Sequence, residues 1–306
     1  MPRPERWAEP IWQGSRVDRP SVVTIGVFDG VHVGHQALIG HNLEIAQRHD
    51  LESVVVTFNP NPLEVLRPDV APARLCDLSR RVELIMGLGV ELVEVVEFDP
   101  DLAAQTAEEF TEAVLRNHLD ARHVVIGQGF RFGNRARGTA QTLRDVGLVV
   151  DEYSLVGDAE PVSSTRIRAA VAAGEVAQAA AMLGRPHEMS GVVVMGEQRG
   201  RDLGFPTANI DHHALAAVPA DGVYAGRAVL DGVRHPAAIS VGTNPTFDGG
   251  RRTVEAYLLD VDQDLYGRLM RVEFVERLRD TLAFDSVDAL VAQMHEDVAA
   301  TRGIVG

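Results

Sequence analysis

Lysine is absent from this chain. The sequence of 306 residues contains 29 basic residues, and reading along it shows that every one of them is arginine. A P-loop needs a lysine beside the β- and γ-phosphates, and Schiff-base catalysis needs a lysine amine, so both chemistries are excluded. Any phosphate chemistry must therefore depend on arginine, histidine, backbone N–H groups and metal ions.

Cysteine and long apolar runs are also scarce. Cys76 is the single cysteine, so an internal disulfide is excluded, and we expect a cytoplasmic protein in which Cys76 packs in a core. No apolar run approaches the roughly 18 residues of a membrane-spanning helix. Residues 1–7 lack the apolar core of a secretion signal. We therefore expect no membrane partner.

The charge balance is acidic, with a formal net charge of −15. This argues against a nucleic-acid partner, which requires a basic surface. It does not exclude small phosphorylated ligands, because a local arginine cluster can reverse the field. The length suggests two domains, and the 45% hydrophobic content is enough to build a core in each.

Residues 26–35 form a glycine-rich motif with two histidines, Gly-Val-Phe-Asp-Gly-Val-His-Val-Gly-His. Apolar periodicity predicts a strand before it, at 22–25, and a helix after it, at 36–46. At such a turn the helix N–H groups bind phosphate, and His32 and His35 are spaced to donate to the same phosphates. A glycine-rich turn with two surface histidines is the alternative that so short a motif leaves open.

Strands and helices alternate through the first half of the chain. Further strands are predicted at residues 52–58, 90–96, 123–126 and 148–150. Helices are predicted at residues 78–88 and 106–119, the second with a capping box. This alternation predicts a doubly wound parallel sheet, a Rossmann-like domain.

Two further segments of this half carry polar or aromatic chemistry. The loop 127–138 follows a strand of the sheet, and we expect Phe130 and Phe132 to stack on a planar ring there, unless they tuck inward on a surface loop. Residues 163–168 read Ser-Ser-Thr-Arg-Ile-Arg. A serine caps a predicted helix at this point, and the hydroxyls and arginines offer a second phosphate cradle. A capped helix with exposed arginines is the alternative.

The second half has the pattern of a small closed antiparallel β-barrel. Its strands are predicted at residues 192–194, 222–230, 235–241, 253–259 and 269–275, with a hairpin at Asp231-Gly232. A last helix is predicted at 286–301, with one apolar face to dock. Residues 184–188 are predicted to be the linker between the two halves.

Neutral and acidic oxygens recur in the barrel half. Thr207 and Asn209 are two residues apart in an extended segment, so their side chains point the same way, as ligands for Mg²⁺ would. Glu255 alternates with apolar neighbours on a strand, so it either faces a site or is a solvated strand glutamate. A second polar loop spans residues 242–247.

Taken in order, these motifs resemble those of the bifunctional bacterial riboflavin kinase/FAD synthetases over nearly the whole chain. The resemblance is carried by six motifs: Gly-x-Phe-Asp-Gly-x-His-x-Gly-His, Gly-Phe-x-Phe-Gly, Ser-Ser-Thr-Arg-Ile-Arg, Gly-Phe-Pro-Thr-Ala-Asn, Gly-x-x-Pro-Thr-Phe and Val-Glu-x-x-Leu-Leu-Asp. It implies an FMN adenylyltransferase domain in residues 1–185 and a riboflavin kinase domain in residues 186–306. The kinase would convert riboflavin and ATP to FMN and ADP. The adenylyltransferase would convert FMN and ATP to FAD and pyrophosphate.

The resemblance also implies the residues of the adenylyltransferase site. Those that would bind ATP are Gly26, Phe28, Asp29, Gly30, His32, Gly34, His35, Ser164, Thr165, Arg166 and Arg168. His32, His35 and Arg168 would be catalytic. Those that would line the flavin are Asn59, Pro60, Asn61, Pro62, Phe130 and Phe132.

For the kinase site the resemblance implies a second set. Those that would bind ATP are Gly204, Phe205, Pro206, Thr207, Asn209 and Asn244. Thr207 and Asn209 would hold Mg²⁺, the expected metal cofactor. Glu255 would be catalytic and would contact the flavin, with Arg279 closing over it.

The chain departs from the family at two positions. Gly129 stands where the family often has Asp or Asn, which puts a polar contact to FMN in doubt. Met195-Gly196 stands where His-Gly is frequent. Two other functions stay open at this point: a lone nucleotidyltransferase of the cytidylyl or pantetheine-phosphate type, and a flavin-binding sensor without catalysis. The sequence does not decide whether copies of the chain associate into a homo-oligomer.

Overall fold

The structure is a computed structural model. It describes residues 17–154, 161–196, 200, 203–243 and 252–306. The described residues form two compact units, one within Met1–Pro72 and Leu78–Pro161, the other within Ala73–Asp77 and Val162–Gly306. The predicted boundary between residues 185 and 186 separates the regions expected to carry the two activities, and it stays a prediction. Asn244 and most of the predicted loop 242–247 lie outside the described residues.

The first unit is built on a parallel sheet of five strands. They are β1 (Ser21–Ile25), β2 (Glu52–Asn59), β3 (Leu92–Glu97), β4 (Ala121–Gly127) and β5 (Val149–Tyr153). Their order is β3-β2-β1-β4-β5, and every pair is parallel. The central strands are runs of buried β-branched residues, as expected for a sheet covered on both faces. The doubly wound sheet is thus confirmed. Its strand order reverses between β1 and β4, where such sheets bind ligands at the carboxyl ends.

Six short to medium α-helices connect these strands. They are α1 (Val33–His49), α2 (Pro62–Leu66), α3 (Leu78–Met86), α4 (Pro100–Ala104), α5 (Ala107–Phe110) and α6 (Ala140–Asp145). The predicted capping box is present, since Thr106 and Glu109 exchange side-chain to backbone hydrogen bonds. The helix predicted there continues beyond α5 as a π-helical segment, Thr111–His118.

The second unit is a closed barrel with helices. α7 (Ser164–Ala172) and α8 (Val176–Leu183) precede it, and α9 (Val287–Val305) follows it. Its strands are β6 (His187–Val194), β7 (Ala208–His212), β8 (Gly222–Leu230), β9 (Val233–Thr243), β10 (Arg252–Leu258) and β11 (Leu269–Arg279). They close in the order β10-β7-β6-β11-β8-β9, with every described pair antiparallel. The barrel and its C-terminal helix are therefore confirmed, and Asp231-Gly232 turns the β8–β9 hairpin with both φ angles positive.

The linker prediction was wrong at residues 187 and 188. His187 and Glu188 lie in β6 and are buried. The His187 ring is 2.7 Å from the carbonyl oxygen of Ala217, and the Glu188 carboxylate pairs with Arg185 and Arg271. A histidine followed by a glutamate is typical of a surface segment. Here the contacts with Ala217, Arg185 and Arg271 compensate these two buried polar side chains.

Candidate active sites

His32 and His35 lie at the N-terminus of α1, after the carboxyl end of β1. His32 is the N-cap, and its Nδ1 accepts a hydrogen bond from the backbone N–H of His35 at 3.3 Å. Because Nδ1 is the acceptor, the proton of the neutral His32 ring lies on Nε2, which is then a donor. The two rings stack with 3.6 Å between centroids and 18° between planes. The two histidines thus lie side by side at a helix end that attracts anions, and their contact with phosphate stays a prediction.

The electrostatics of His35 favour its neutral form. Burial lowers the pKa of His35 well below its ordinary value of 6.5, and the neighbouring His32 and Arg81 lower it further. Its Nδ1 is buried and has no hydrogen-bond partner among the described residues. At neutral pH the ring is therefore uncharged and carries a single N–H that is able to donate.

The turn before the histidines has an unusual backbone. Phe28, Gly30 and Val31 have φ angles of 51°, 79° and 42°, and the N–H of Val31 donates to the carbonyl oxygen of Phe28 at 3.0 Å. A positive φ is uncommon for phenylalanine and is a genuine outlier for a β-branched valine, so the surrounding structure must hold it. Asp29 is buried in this turn.

Burial of Phe28 supplies part of that support. Its side chain is buried, and its ring meets the ring of His35 edge-on at 5.1 Å. A Cβ on Gly26 would lie 3.1 Å from the Phe28 ring, so Gly26 gives this ring room. Gly34, in the first turn of α1, is buried as well.

Arg81 is a residue of this site that the sequence did not identify. It lies on α3 and is buried, and its guanidinium Nη1 contacts the Val27 and Phe58 carbonyl oxygens at 2.9 and 3.0 Å. It also contacts the hydroxyl of Thr57 at 3.1 Å. The signal in the sequence is a charged residue on the apolar stripe of a helix, since Arg81 shares that stripe with Val82 and Ile85.

The predicted flavin-lining residues follow β2 and β4. Asn59 ends β2, its bond to Pro60 is cis, and the Asn61 side chain caps α2, of which Pro62 is the first residue. Phe130 and Phe132, after β4, stack with 5.7 Å between centroids. Both phenylalanines are half-buried against the core of the sheet, so they pack inward with part of each ring accessible.

The backbone conformation at position 129 suits glycine. Its φ is 75°, and no atom lies within 4 Å of where a Cβ would stand. Asn and Asp adopt this region more readily than other residues with a side chain. Gly129 thus has a backbone conformation that Asn or Asp would also tolerate, and it lacks the polar side chain that either of them would add.

In the second unit, the three predicted metal and catalytic side chains lie together. Asn209 on β7 is the cross-strand partner of Glu255 on β10, so their side chains share one face of the barrel wall. The Thr207 hydroxyl donates to Glu255 Oε2 at 3.0 Å. All three are half-buried, whereas Ala208, Val254 and Ala256 are buried in the barrel.

This donor set fits Mg²⁺ held mainly by substrate and water. Two neutral oxygens and one carboxylate suit an ion that keeps several waters and binds phosphate oxygens. No group of three or more His, Cys, Asp or Glu able to hold a metal is found among the described residues. Gly196 lies against the site, since a Cβ on it would be 2.5 Å from the side-chain Cγ of Asn209.

The loop before Thr207 is anchored by Phe205. Its buried ring meets those of Tyr257 and His295 edge-on at 5.3 and 5.0 Å, which ties the loop to β10 and α9. Gly204 has a φ of 86°, and Pro206 is exposed. Phe205 is thus an internal anchor of the loop predicted to bind ATP.

Arg279, at the end of β11, is held by the C-terminal helix. Its Nε and Nη2 donate to the two carboxylate oxygens of Asp297 at 2.9 and 2.7 Å. The guanidinium carbon lies 5.9 Å from the centre of the Phe284 ring. A role in closing over the flavin stays a prediction for this residue.

The Ser-Ser-Thr-Arg-Ile-Arg segment begins α7 in the second unit. Ser163 is the N-cap, accepting from the N–H of Arg166 at 3.3 Å, and Ser164 is the first helical residue. Arg168 Nε donates to the carbonyl oxygen of Ala73 at 2.6 Å. Thr165 is exposed. Contact of these residues with ATP stays a prediction.

Comparison with known proteins assigns the two halves. A family model described as FAD synthetase matches residues 15–166, and one described as riboflavin kinase matches residues 183–305. The chain is 37% identical over 291 residues to a bifunctional riboflavin kinase/FMN adenylyltransferase of Escherichia coli K12, covering 93% of each chain. It is 34% identical to the Bacillus subtilis protein of the same description, covering 90% of each.

A solved structure shares the whole architecture. A crystal structure described as a macrolide-efflux protein from Streptococcus pneumoniae superposes with a TM-score of 0.85 at 36% identity, covering 94% of this chain and 95% of the other. Among the residues that the structure describes, no helix has the length and apolar character needed to cross a membrane.

The chain belongs to the family of bifunctional riboflavin kinase/FMN adenylyltransferases. It joins an FAD synthetase region to a riboflavin kinase region. The predictions of family, of fold class and of enzyme class are therefore confirmed. A lone nucleotidyltransferase is excluded as an account of the whole chain, because the second half matches a kinase family.

Proposed function

We propose that this chain makes FAD from riboflavin in two steps, each using one ATP. Residues 186–306 phosphorylate riboflavin to FMN with release of ADP, and residues 1–185 transfer the adenylyl group of a second ATP to FMN with release of pyrophosphate. The supporting observation is that each compact unit contains its own cluster of polar side chains suited to phosphate chemistry: the stacked His32 and His35 in one, and Thr207 with Glu255 in the other.

Adenylyl transfer needs positioning and charge stabilisation more than a covalent intermediate. An FMN phosphate oxygen attacks the α-phosphorus of ATP, and the bond from that phosphorus to the bridging oxygen of pyrophosphate breaks. The Nε2–H of His32, the N–H of neutral His35 and the N-terminus of α1 donate to the phosphate oxygens on which charge develops. Because His35 is neutral, it donates its N–H without charge repulsion between the two stacked imidazole rings.

The remaining predicted contacts complete this site. We assign Ser164, Thr165, Arg166 and Arg168 to binding of the ATP triphosphate, as the motif resemblance implies. The segment from Asn59 to Pro62 lines the flavin together with Phe130 and Phe132, whose partly accessible rings suit a planar isoalloxazine.

Riboflavin phosphorylation takes place at the Thr207, Asn209 and Glu255 cluster. Thr207 and Asn209 would hold Mg²⁺, which would neutralise charge on the ATP phosphates. Glu255 accepts a hydrogen bond from the terminal ribityl hydroxyl and orients it toward the γ-phosphorus. The hydroxyl oxygen bonds to that phosphorus as the bond to ADP breaks, and the hydroxyl proton passes to Glu255 or to water. Orientation matters more than basicity because phosphoryl transfer is loose.

Asn244, Gly204 and Pro206 belong to the ATP side of this kinase site. We assign Arg279 to closing over the flavin. We also assign the chain to the cytoplasm, where its single cysteine stays reduced.

One incubation tests both steps. The chain is mixed with riboflavin, ATP and Mg²⁺, and the flavins are separated by chromatography. We expect FMN to appear first and FAD to follow, with neither formed when a chelator replaces Mg²⁺. FMN without FAD contradicts the first-unit assignment. Flavin binding without any product contradicts both and favours a sensor.

A further inference from the structure

Arg81 is a buried cation whose contacts are all with neutral oxygens. Its exposed fraction is 4%, and its hydrogen bonds go to two backbone carbonyls and the Thr57 hydroxyl. Within the described part of the chain, none of its hydrogen bonds reaches a carboxylate, and its Nε is buried without a partner. A buried charge without a counter-ion is costly to retain, so a position of this kind calls for a functional reason.

The acceptors that Arg81 joins lie at the carboxyl ends of neighbouring strands. Val27 lies two residues after the end of β1, and Thr57 and Phe58 are near the C-terminal end of β2. The Thr57 hydroxyl also donates to the Val27 carbonyl at 3.0 Å. The Val27 carbonyl therefore accepts from two donors, and the peptide between Val27 and Phe28 is held in one orientation.

That peptide is the entrance to the strained turn. Phe28 has a positive φ, as does Val31, the residue before His32. Strained residues of this kind persist when their surroundings over-determine them. Arg81 and Thr57 fix the beginning of the turn, while the N-cap bond of His32 fixes its end.

We propose that Arg81 is a positioning residue for adenylyl transfer: by joining the ends of β1 and β2, it holds the turn that presents His32 and His35 to the triphosphate. This role rests on the proposed function of the first unit. The charge of Arg81 contributes in a second way, because it is one of the causes that lower the pKa of His35. The charge of Arg81 also adds positive electrostatic potential near the proposed site of the negatively charged triphosphate.

Two substitutions at Arg81 separate the effects of its charge and hydrogen bonds from the effect of its side-chain volume. Arg81→Met keeps an unbranched side chain but removes the charge and all three hydrogen bonds, whereas Arg81→Lys keeps the charge and three N–H donors. The matched control is Arg80→Met, since Arg80 is the neighbouring arginine on α3 and pairs with Glu83 instead. Each variant is assayed for kcat and KM of FMN adenylylation and, in the same preparation, for riboflavin phosphorylation.

We expect Arg81→Met to lower kcat/KM for ATP in FMN adenylylation by about 10²-fold, the scale of a displacement of catalytic groups by about 1 Å. Riboflavin phosphorylation stays at the wild-type rate. Arg81→Lys recovers most of the loss, and Arg80→Met matches wild type. Nitrogen NMR of the histidine rings shows the pKa of His35 rising in Arg81→Met and not in Arg80→Met. A merely structural arginine would change neither this pKa nor the turnover of the folded protein.

The inference is overturned if folded Arg81→Met adenylylates FMN as fast as Arg80→Met. If Arg81→Met does not fold, Thr57→Val decides, because it removes one contact of Arg81 and one donor to Val27 while leaving the charge. A several-fold slower FAD synthesis with normal kinase activity supports the inference, and an unchanged rate overturns it. Failure of wild type to adenylylate FMN is a different result, because it rejects the proposed function itself.

Discussion

The backbone N–H of His35 donates to the side chain of His32, and the two imidazoles stack 3.6 Å apart. One interaction thus does two things. It caps α1, as a side chain accepting from the third helical residue does, and it directs the proton of His32 to the nitrogen that is not used in the cap.

Removal of His35 tests the division of labour between the units. We expect His35→Ala to reduce FAD formation from FMN by about 10²- to 10³-fold, the usual loss for one donor to a developing charge. Riboflavin phosphorylation is unchanged because its side chains lie in the other unit. The measurement is the initial rate of each reaction with its own flavin supplied.

The control for that change is His41→Ala on the same helix, where His41 contacts Glu44 and Tyr153. It should leave both rates intact. Loss of both activities in a folded His35→Ala protein would mean that the two-site assignment is wrong.

The depressed pKa of His35 predicts a pH dependence of stability. The folded pKa is below the unfolded value of about 6.5, so between these values the unfolded chain binds a proton that the folded chain does not. The free energy of unfolding therefore rises with pH in that window and falls as the pH drops below about 6.5. His123 adds a contribution of the same sign, because burial lowers its pKa too.

Urea unfolding between pH 5 and 8 measures this slope. We expect His35→Gln to flatten it below about pH 6.5, with a smaller effect for His123→Gln. An identical slope in His35→Gln and wild type would show that His35 titrates alike in both states.

Glu255 provides the reciprocal test in the barrel. Glu255→Gln keeps the shape and the contact with Thr207 but loses the charge, and Glu255→Ala loses both. We expect riboflavin phosphorylation to fall by about 10²-fold or more in Glu255→Ala and by less in Glu255→Gln, because the amide oxygen can still accept a hydrogen bond from the ribityl hydroxyl and orient it. Adenylylation of supplied FMN continues in both. Glu276→Gln, an exposed glutamate on β11, controls for loss of negative charge on the barrel. Loss of FAD synthesis in folded Glu255→Ala would contradict the assignment.

The Arg279–Asp297 pair predicts a stability effect. Asp297 is buried and accepts two hydrogen bonds from one guanidinium, so Asp297→Ala leaves a partly buried cation without its partner. We expect a loss of about 3 kcal/mol in the free energy of unfolding of the barrel, measured by urea unfolding. Asp260→Ala removes the exposed pair with Arg302 and should have little effect. Equal effects of the two substitutions would show that burial of the pair is unimportant.

The local pattern was sufficient for most of the architecture. Apolar runs rich in valine and isoleucine, either continuous or alternating with polar residues, indicated the strands of the sheet and the barrel. This works because the alternation of side chains along a strand follows directly from backbone geometry. The His-x-Gly-His turn and the Thr207 to Asn209 spacing were also visible, since each depends on residues close in sequence.

What the sequence by itself determined is therefore the two-part architecture, the family and the short motifs whose residues are neighbours in the chain. The tertiary structure decided what lies beneath and beside those motifs. Arg81 reaches the turn of His32 and His35 from a helix about 50 residues later, and β6 takes in His187 and Glu188 because partners on other segments satisfy them. Arg279 is held by a carboxylate on the last helix. These relationships depend on which side chains meet across the fold, and no local periodicity carries that information.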